Sequence, residues 1–175
     1  MSDRRDTFEA RALPHLDAAY NLARWLSRSP SDAEDIVQDA MLRAFRAFDQ
    51  LRGEDVRPWL MRIVRNCWRD RRDRPHRRHD VPLPGGREGP ELVDEGPDAE
   101  AQAMRASEGR RVRAMIAALP EAFREVLILR EMEDLSYREI AEVSGIPIGT
   151  VMSRLARARA LLKDQWVAED QHGLR

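Results

Sequence analysis

Thr150, Ser153, Arg154 and Arg157 recur at three- and four-residue spacing in a stretch that also carries Val151, Leu155, Ala158 and Leu162. At 3.6 residues per turn these sets predict one helix with an apolar stripe and a stripe of hydroxyl and guanidinium groups. Arg159 and Lys163 lie on its flanks. Such a face suits the phosphates and base edges of a DNA major groove. A second set lies in RPWLMRIVRNCWRDRRDR, Arg57 to Arg74. There Arg62, Arg65, Arg69 and Arg72 form a basic ridge, with Asn66 and Trp68 interleaved. Arginines beside an amide and an aromatic fit a surface that tracks a nucleic-acid strand. Asp70 and Asp73 are too few to neutralise it. Trp59 reads as core, and Trp68 stays open between core packing and base stacking. The third set, Asp32, Glu34, Asp35 and Asp39 with Gln38 and Arg43, occupies the polar side of a helix start. These acids read as favoured by the helix dipole or as a docking face for a basic partner.

Catalytic chemistry has little to stand on. His76 and His79 lie three apart, but no cysteine or ordered acid pair completes a metal site with them. The chain contains no phosphate-cradling glycine loop, no Gly-x-Ser-x-Gly elbow and no His-Glu-x-x-His. Cys67 sits among apolar residues and reads as core. No enzyme activity, cofactor or metal is expected.

The elements that hold these sets are predicted to be helices. Ser136 and Glu139 form a capping box that starts one helix. Gly145 allows the tight turn after it, and Pro147 suits the first turn of the next. Together these make a helix-turn-helix, supported by helices bearing Val112, Met115, Ile116 and Leu119, then Phe123, Val126, Leu127 and Leu129. Towards the N-terminus, one helix from about Thr7 to Ser27 is expected to bury Phe8, Leu13, Leu16, Tyr20 and Leu26 in part. Pro30 is read as a break, with Ser31 and Glu34 as a second capping box. The next helix buries Val37, Met41, Ala44, Phe45 and Phe48. After Gly53, Pro58 opens a third, with Trp59, Leu60, Ile63, Val64 and Cys67 inward. No stretch alternates as a strand does. The fold class is all-α.

Charge is unevenly placed despite a net value of −1 over 175 residues. From Arg69 to Arg78 six arginines stand against Asp70 and Asp73. From Asp80 to Glu100 seven acids stand against Arg87. Five of the ten prolines and four of the nine glycines fall between Pro75 and Pro97. That composition cannot bury enough apolar surface to offset its ordering entropy, so it reads as a flexible acidic linker between two small helical domains. The single cysteine excludes an internal disulfide and fits a reducing compartment. No apolar run approaches the roughly 18–20 residues that cross a bilayer, and the N-terminus lacks a signal-peptide core. A cytoplasmic protein without direct membrane insertion is expected.

With DAEDIVQDAMLRAFRAFDQLRG (Asp32–Gly53), the arginine stretch, and LPEAFREVLILREMEDLSYREIAEVSGIPIGTVMSRLARARALL (Leu119–Leu162) in this order, the chain resembles an extracytoplasmic-function sigma factor of bacterial RNA polymerase. The resemblance implies a region-2-like domain over 1–75, a linker over 76–104 and a region-4-like helix-turn-helix domain over 105–175. It assigns core polymerase docking, on the largest subunits, to Asp32, Asp35, Gln38, Asp39 and Arg43. Reading and melting of the minus-ten element falls to the loop Asp49–Arg57 and the helix after it, with Arg62, Asn66, Trp68, Arg69 and Arg72. Thr150, Ser153, Arg154, Arg157 and Arg159 would read the minus-thirty-five element. The implied function is promoter recognition and melting for transcription initiation, in a stress or envelope response. Core polymerase, promoter DNA and a separate anti-sigma factor are the implied partners. The chain ends shortly after Leu162, so the resemblance places regulation outside it. A conventional repressor or activator would explain the helix-turn-helix but leave the docking helix and the arginine ridge without a role.

Overall fold

The computed structural model describes residues 2–51, 55–73 and 99–173, and the described residues are helical apart from short turns. Helix α1 (Ser2–Ala12) tightens into a 3-10 turn over Leu13–His15 before α2 (Leu16–Ser27). The single helix expected from Thr7 to Ser27 is therefore two. Pro14 has no N–H for the helical ladder, and the chain tightens around it. The break leaves Leu13, Leu16 and Tyr20 exposed, contrary to expectation, while Ala19, Leu22, Ala23 and Leu26 turn inward. Phe8 is held edge-on between Phe45 and Phe48, with ring centroids 5.3 Å away on each side.

Helix α3 (Pro30–Ala47) starts two residues earlier than its sequence suggests, capped at Ser29 rather than Ser31. Its cap is Ser29, whose Oγ accepts from the Asp32 N–H at 3.3 Å. Pro30 begins the helix rather than breaking the chain, because its fixed φ suits the first helical position and its missing N–H is not needed there. Ser31 and Glu34 thus do not form the expected box. A 3-10 turn over Phe48–Gln50 follows. Helix α4 (Val56–Asp73) opens with the Asp55 carboxylate accepting from the Arg57 N–H at 3.0 Å. Helices α2, α3 and α4 pack pairwise around Leu22, Ile36, Leu60, Met61 and Val64, all fully buried. Each such side chain contributes about 1.5–3 kcal/mol relative to exposure. Cys67 is buried too, and burial pushes its thiol up.

The second half comprises α5 (Ala99–Ala118), α6 (Glu121–Glu131), α7 (Tyr137–Ser144) and α8 (Ile148–Gly173). Of the expected linker, 76–98 lies outside the described residues and 99–104 belongs to α5. On α5, Met115, Ile116 and Leu119 are buried as expected, but Val112 is exposed. The α7 capping box is complete: the Ser136 Oγ accepts from the Glu139 N–H at 3.2 Å, and the Glu139 carboxylate accepts from the Ser136 N–H at 2.7 Å. Gly145 ends α7 at φ +64°, the left-handed conformation that side chains resist. Pro147 stands just before α8, its carbonyl accepting from the N–H groups of Thr150 and Val151. Val151, Leu155 and Ala158 then bury α8 against α6 and α7.

The two halves do not stand apart. Helix α4 packs on α7 and α2 on α6, so one apolar cluster runs from Phe8 to Ala158 across both.

Candidate nucleic-acid interface

The polar stripe of α8 lies opposite its buried one. Gly145 turns the chain so that α8 crosses α7, and Val151, Leu155 and Ala158 fix its rotation. That rotation leaves Ser153 and Arg157 exposed and Thr150 and Arg154 half-buried. Neither Arg154 nor Arg157 has an ion-pair partner among the described residues. The Ser153 hydroxyl donates back to the Thr150 carbonyl at 3.1 Å, which steadies the first turn. Arg159 differs: its guanidinium grips one oxygen of Glu131 at 2.6 and 3.2 Å. It ties α8 to α6.

On α3, Gln38 and Asp39 are exposed. Arg71 of α4 reaches both Asp35 (2.7 Å) and Asp32 (3.3 Å), and Arg43 pairs with Asp70 at 2.6 Å. The α3–α4 seam thus carries a chain of alternating charges. Such exposed pairs are worth little each, about 0–1 kcal/mol, so a partner can exchange them.

The arginine ridge is divided by the fold. Asn66 and Arg69 are exposed and Arg62 is half-buried. Trp68, left open by its sequence, is only 6% exposed. The Arg72 guanidinium lies 5.0 Å from its ring centre and bonds Asp73 and Glu121. Arg65, one of the ridge residues, is buried. Its Nε donates to Glu125 of α6 at 2.5 Å, and the Ser144 hydroxyl donates to the same oxygen. Arg57 donates to buried Glu133 at 3.0 Å, whose other oxygen accepts from Asn21 at 2.6 Å. Glu121, Glu125, Glu133, Asn21, Ser144 and Arg71 escaped the sequence reading. One signal was there: Glu125 stands inside the apolar run FREVLIL, where a charge needs a buried partner. The α4–α7 seam also holds a cleft of about 410 Å³ lined by Asp55, Pro58, Trp59, Arg62, Arg138, Glu139, Glu142 and Val143. On α6, burial and the like charge of Arg28 pull the Arg124 guanidinium below its ordinary value.

His76 and His79, the loop residues 52–54 and the acidic stretch from Asp80 lie outside the described residues. Among the described residues no cluster of histidine, cysteine and acids has the makings of a metal site, and no helix is long and apolar enough to cross a membrane.

Residues 13–78 match the pattern of sigma-70 region 2, and residues 109–162 that of sigma-70 region 4. The chain is 35% identical over 154 residues to the ECF RNA polymerase sigma-E factor of Haemophilus influenzae, covering 82% of this chain and 78% of that protein. The chain belongs to the extracytoplasmic-function (ECF) sigma factor family. This sigma factor is also 31% identical to the ECF sigma factor SigW of Bacillus subtilis, over 85% of this chain and 83% of that one. To SigE of Mycolicibacterium smegmatis it is 34% identical over 86% of its own length, but it spans only 58% of that protein. Among solved structures it resembles the Bartonella quintana sigma factor RpoE in complex with the anti-sigma factor NepR. The TM-score is 0.65 and the identity 25%, covering 90% of this chain and 95% of that chain. It also resembles CnrH in complex with the cytosolic domain of CnrY, at TM-score 0.66 and 28% identity, over 94% of this chain and 90% of that one.

Proposed function

We propose that this sigma factor brings core RNA polymerase to a defined class of promoters and helps to open them, in a stress or envelope response. Helix α3 docks on the largest polymerase subunits through Asp32, Asp35, Gln38, Asp39 and Arg43. Helix α4 reads the minus-ten element through Arg62, Asn66, Arg69 and Arg72, with Trp68 packed beneath the Arg72 guanidinium. Helix α8 reads the minus-thirty-five element through Thr150, Ser153, Arg154 and Arg157, with Arg159 holding it against α6. The observation that carries this reading is the coincidence of the two sigma-70 region matches with these helices, in chain order.

The physical roles follow from residue type. Guanidinium groups on α8 present paired donors to guanine edges or phosphates, while the buried stripe beneath keeps them aimed. Opening DNA requires unstacking bases, at a few kcal/mol each, and contacts to the exposed strand offset that cost. The chain contributes binding energy, and bond formation belongs to the polymerase in the cell interior. An anti-sigma protein is the expected regulator, because one of the similar solved structures is such a complex.

Run-off transcription with purified core polymerase tests the proposal. Core plus this chain is expected to start transcripts at a subset of promoters from the source genome, at which core alone is silent. No transcript on any of them, together with failure to co-purify with core, overturns it in favour of a conventional DNA-binding regulator.

A further inference from the structure

Helix α1 grips the far end of α3, where the chain leaves it for α4. Arg4, Phe8 and Arg11 recur at four- and three-residue spacing, which places them on one face of α1. Phe8 stands edge-on to both Phe45 and Phe48. The Arg4 guanidinium lies 5.0 Å from the Phe45 ring centre, and that of Arg11 lies 5.6 Å from the Phe48 ring centre. One Arg4 nitrogen also donates to the Phe45 carbonyl at 3.0 Å and pairs with Asp49 at 2.9 Å. Helix α1 packs on α4 as well. All of α1 stands ahead of residues 13–78, the stretch that matches sigma-70 region 2.

We propose that α1 is a positioning element for promoter opening. Arg4, Phe8 and Arg11 fix the turn Phe48–Gln50, and with it the direction in which the chain passes from the docking helix α3 to the reading helix α4. The inference rests on the roles proposed above for those two helices. A 3-10 turn has poor hydrogen-bond geometry of its own, so side-chain anchors decide where it points. Here Phe48 is the anchor, buried beneath α1, while Asp49 and Gln50 are exposed beside it. The turn is held from one side and open on the other. Arg4 serves it twice. As a cation in the last turn of α3 it complements the carbonyls that the helix leaves unpaired. It also offsets the charge of Asp49, which would otherwise repel an approaching phosphate. Exposed contacts of this kind add little to folding stability, so losing Arg4 frees the turn without unfolding the chain. Docking is spared too, because Asp35 and Asp39 lie about 13–20 Å from Phe48 along α3, at about 1.5 Å per residue.

The test uses the full chain assembled with core polymerase on a promoter active in the run-off assay. Arg4→Ala and Phe8→Leu are compared with Arg5→Ala, a neighbour of the same charge that pairs with Glu9 within α1. Permanganate reactivity of the minus-ten thymines is expected to fall about fivefold in Arg4→Ala and Phe8→Leu, with core affinity within about twofold of wild type. Arg5→Ala is expected to match wild type in both. A second measurement needs no polymerase. Amide exchange at Leu51, whose N–H donates to the Phe48 carbonyl at 3.0 Å, is expected to quicken in Arg4→Ala and Phe8→Leu but not in Arg5→Ala. Should Phe8→Leu lose helicity by circular dichroism, Arg4→Ala decides the matter alone. Opening lost only in proportion to core affinity, or opening equal in all three variants, overturns the inference. Unchanged Leu51 exchange overturns it as well, whatever the promoter assay gives. A wild-type chain that opens no promoter is a failure of the proposed function itself.

Discussion

Arg65 shows how one guanidinium changes meaning with its surroundings. In the sequence it is one of four arginines on a ridge; in the structure it is buried against Glu125 and Ser144. Removing one partner of a buried pair ordinarily costs about 3–5 kcal/mol, because the other charge is stranded. Glu125→Ala is therefore expected to lower unfolding stability by about 3–5 kcal/mol in a denaturant titration, and a loss well under that range would show that the halves part and let water reach Arg65. The α8 arginines are different, since Arg154 and Arg157 have no ion pair to break among the described residues. Arg154→Ala or Arg157→Ala is expected to weaken binding of a promoter's upstream element by about 1–3 kcal/mol if the side chain reads a base. Equal loss on unrelated DNA in the same gel-shift series would reduce that residue to phosphate positioning. Both α8 residues were legible because a surface stripe declares itself by periodicity. Glu121, Glu125 and Glu133 were not, because their partners lie roughly 50 to 80 residues away in the chain.

At the scale of elements, local chemistry governs where helices begin and end. The Ser136–Glu139 box was readable because both bonds lie within four residues. Ser136→Ala is expected to lower stability by about 1 kcal/mol in thermal unfolding. Gly145→Ala meets no neighbour within 4 Å, so its expected cost of about 1–2 kcal/mol is backbone strain at φ +64° alone. The α3 start was misread at Ser31 because two serines flank Pro30, and only the geometry of proline at the first helical position selects Ser29. Helix α3 also carries the docking proposal. Asp35→Arg/Asp39→Arg is expected to abolish co-purification with core polymerase while leaving helicity unchanged, since both side chains are exposed. Normal core affinity in that variant would remove these acids from the docking face.

At the scale of the molecule, the closed packing and the proposed reading of two promoter elements exclude each other. Elements centred ten and thirty-five base pairs upstream lie about 85 Å apart along the helix, at about 3.4 Å per base pair. A compact chain of 175 residues has a radius of gyration of about 16 Å. The halves must therefore separate on the promoter. The roughly 25 residues of 74–98 reach at most about 80–90 Å at 3.3–3.6 Å each. Deleting about half of that stretch is expected to abolish transcription from such promoters while sparing upstream-element binding by the C-terminal half. Undiminished transcription from the shortened chain would show that the reach is not needed.

What the sequence by itself determined was every feature held by near neighbours. It specified the all-α class, the helix-turn-helix with its cap and glycine turn, the guanidinium stripe of α8 and the order of the two regions. These rest on propensity, periodicity and bonds within one helical turn, which any stretch of chain carries with it. The tertiary structure alone decided which arginines of α4 face outward and which meet Glu121, Glu125 and Glu133. That choice depends on two halves packing across a long separation in sequence, and a buried charge is tolerated only where the opposite charge has already been brought to meet it.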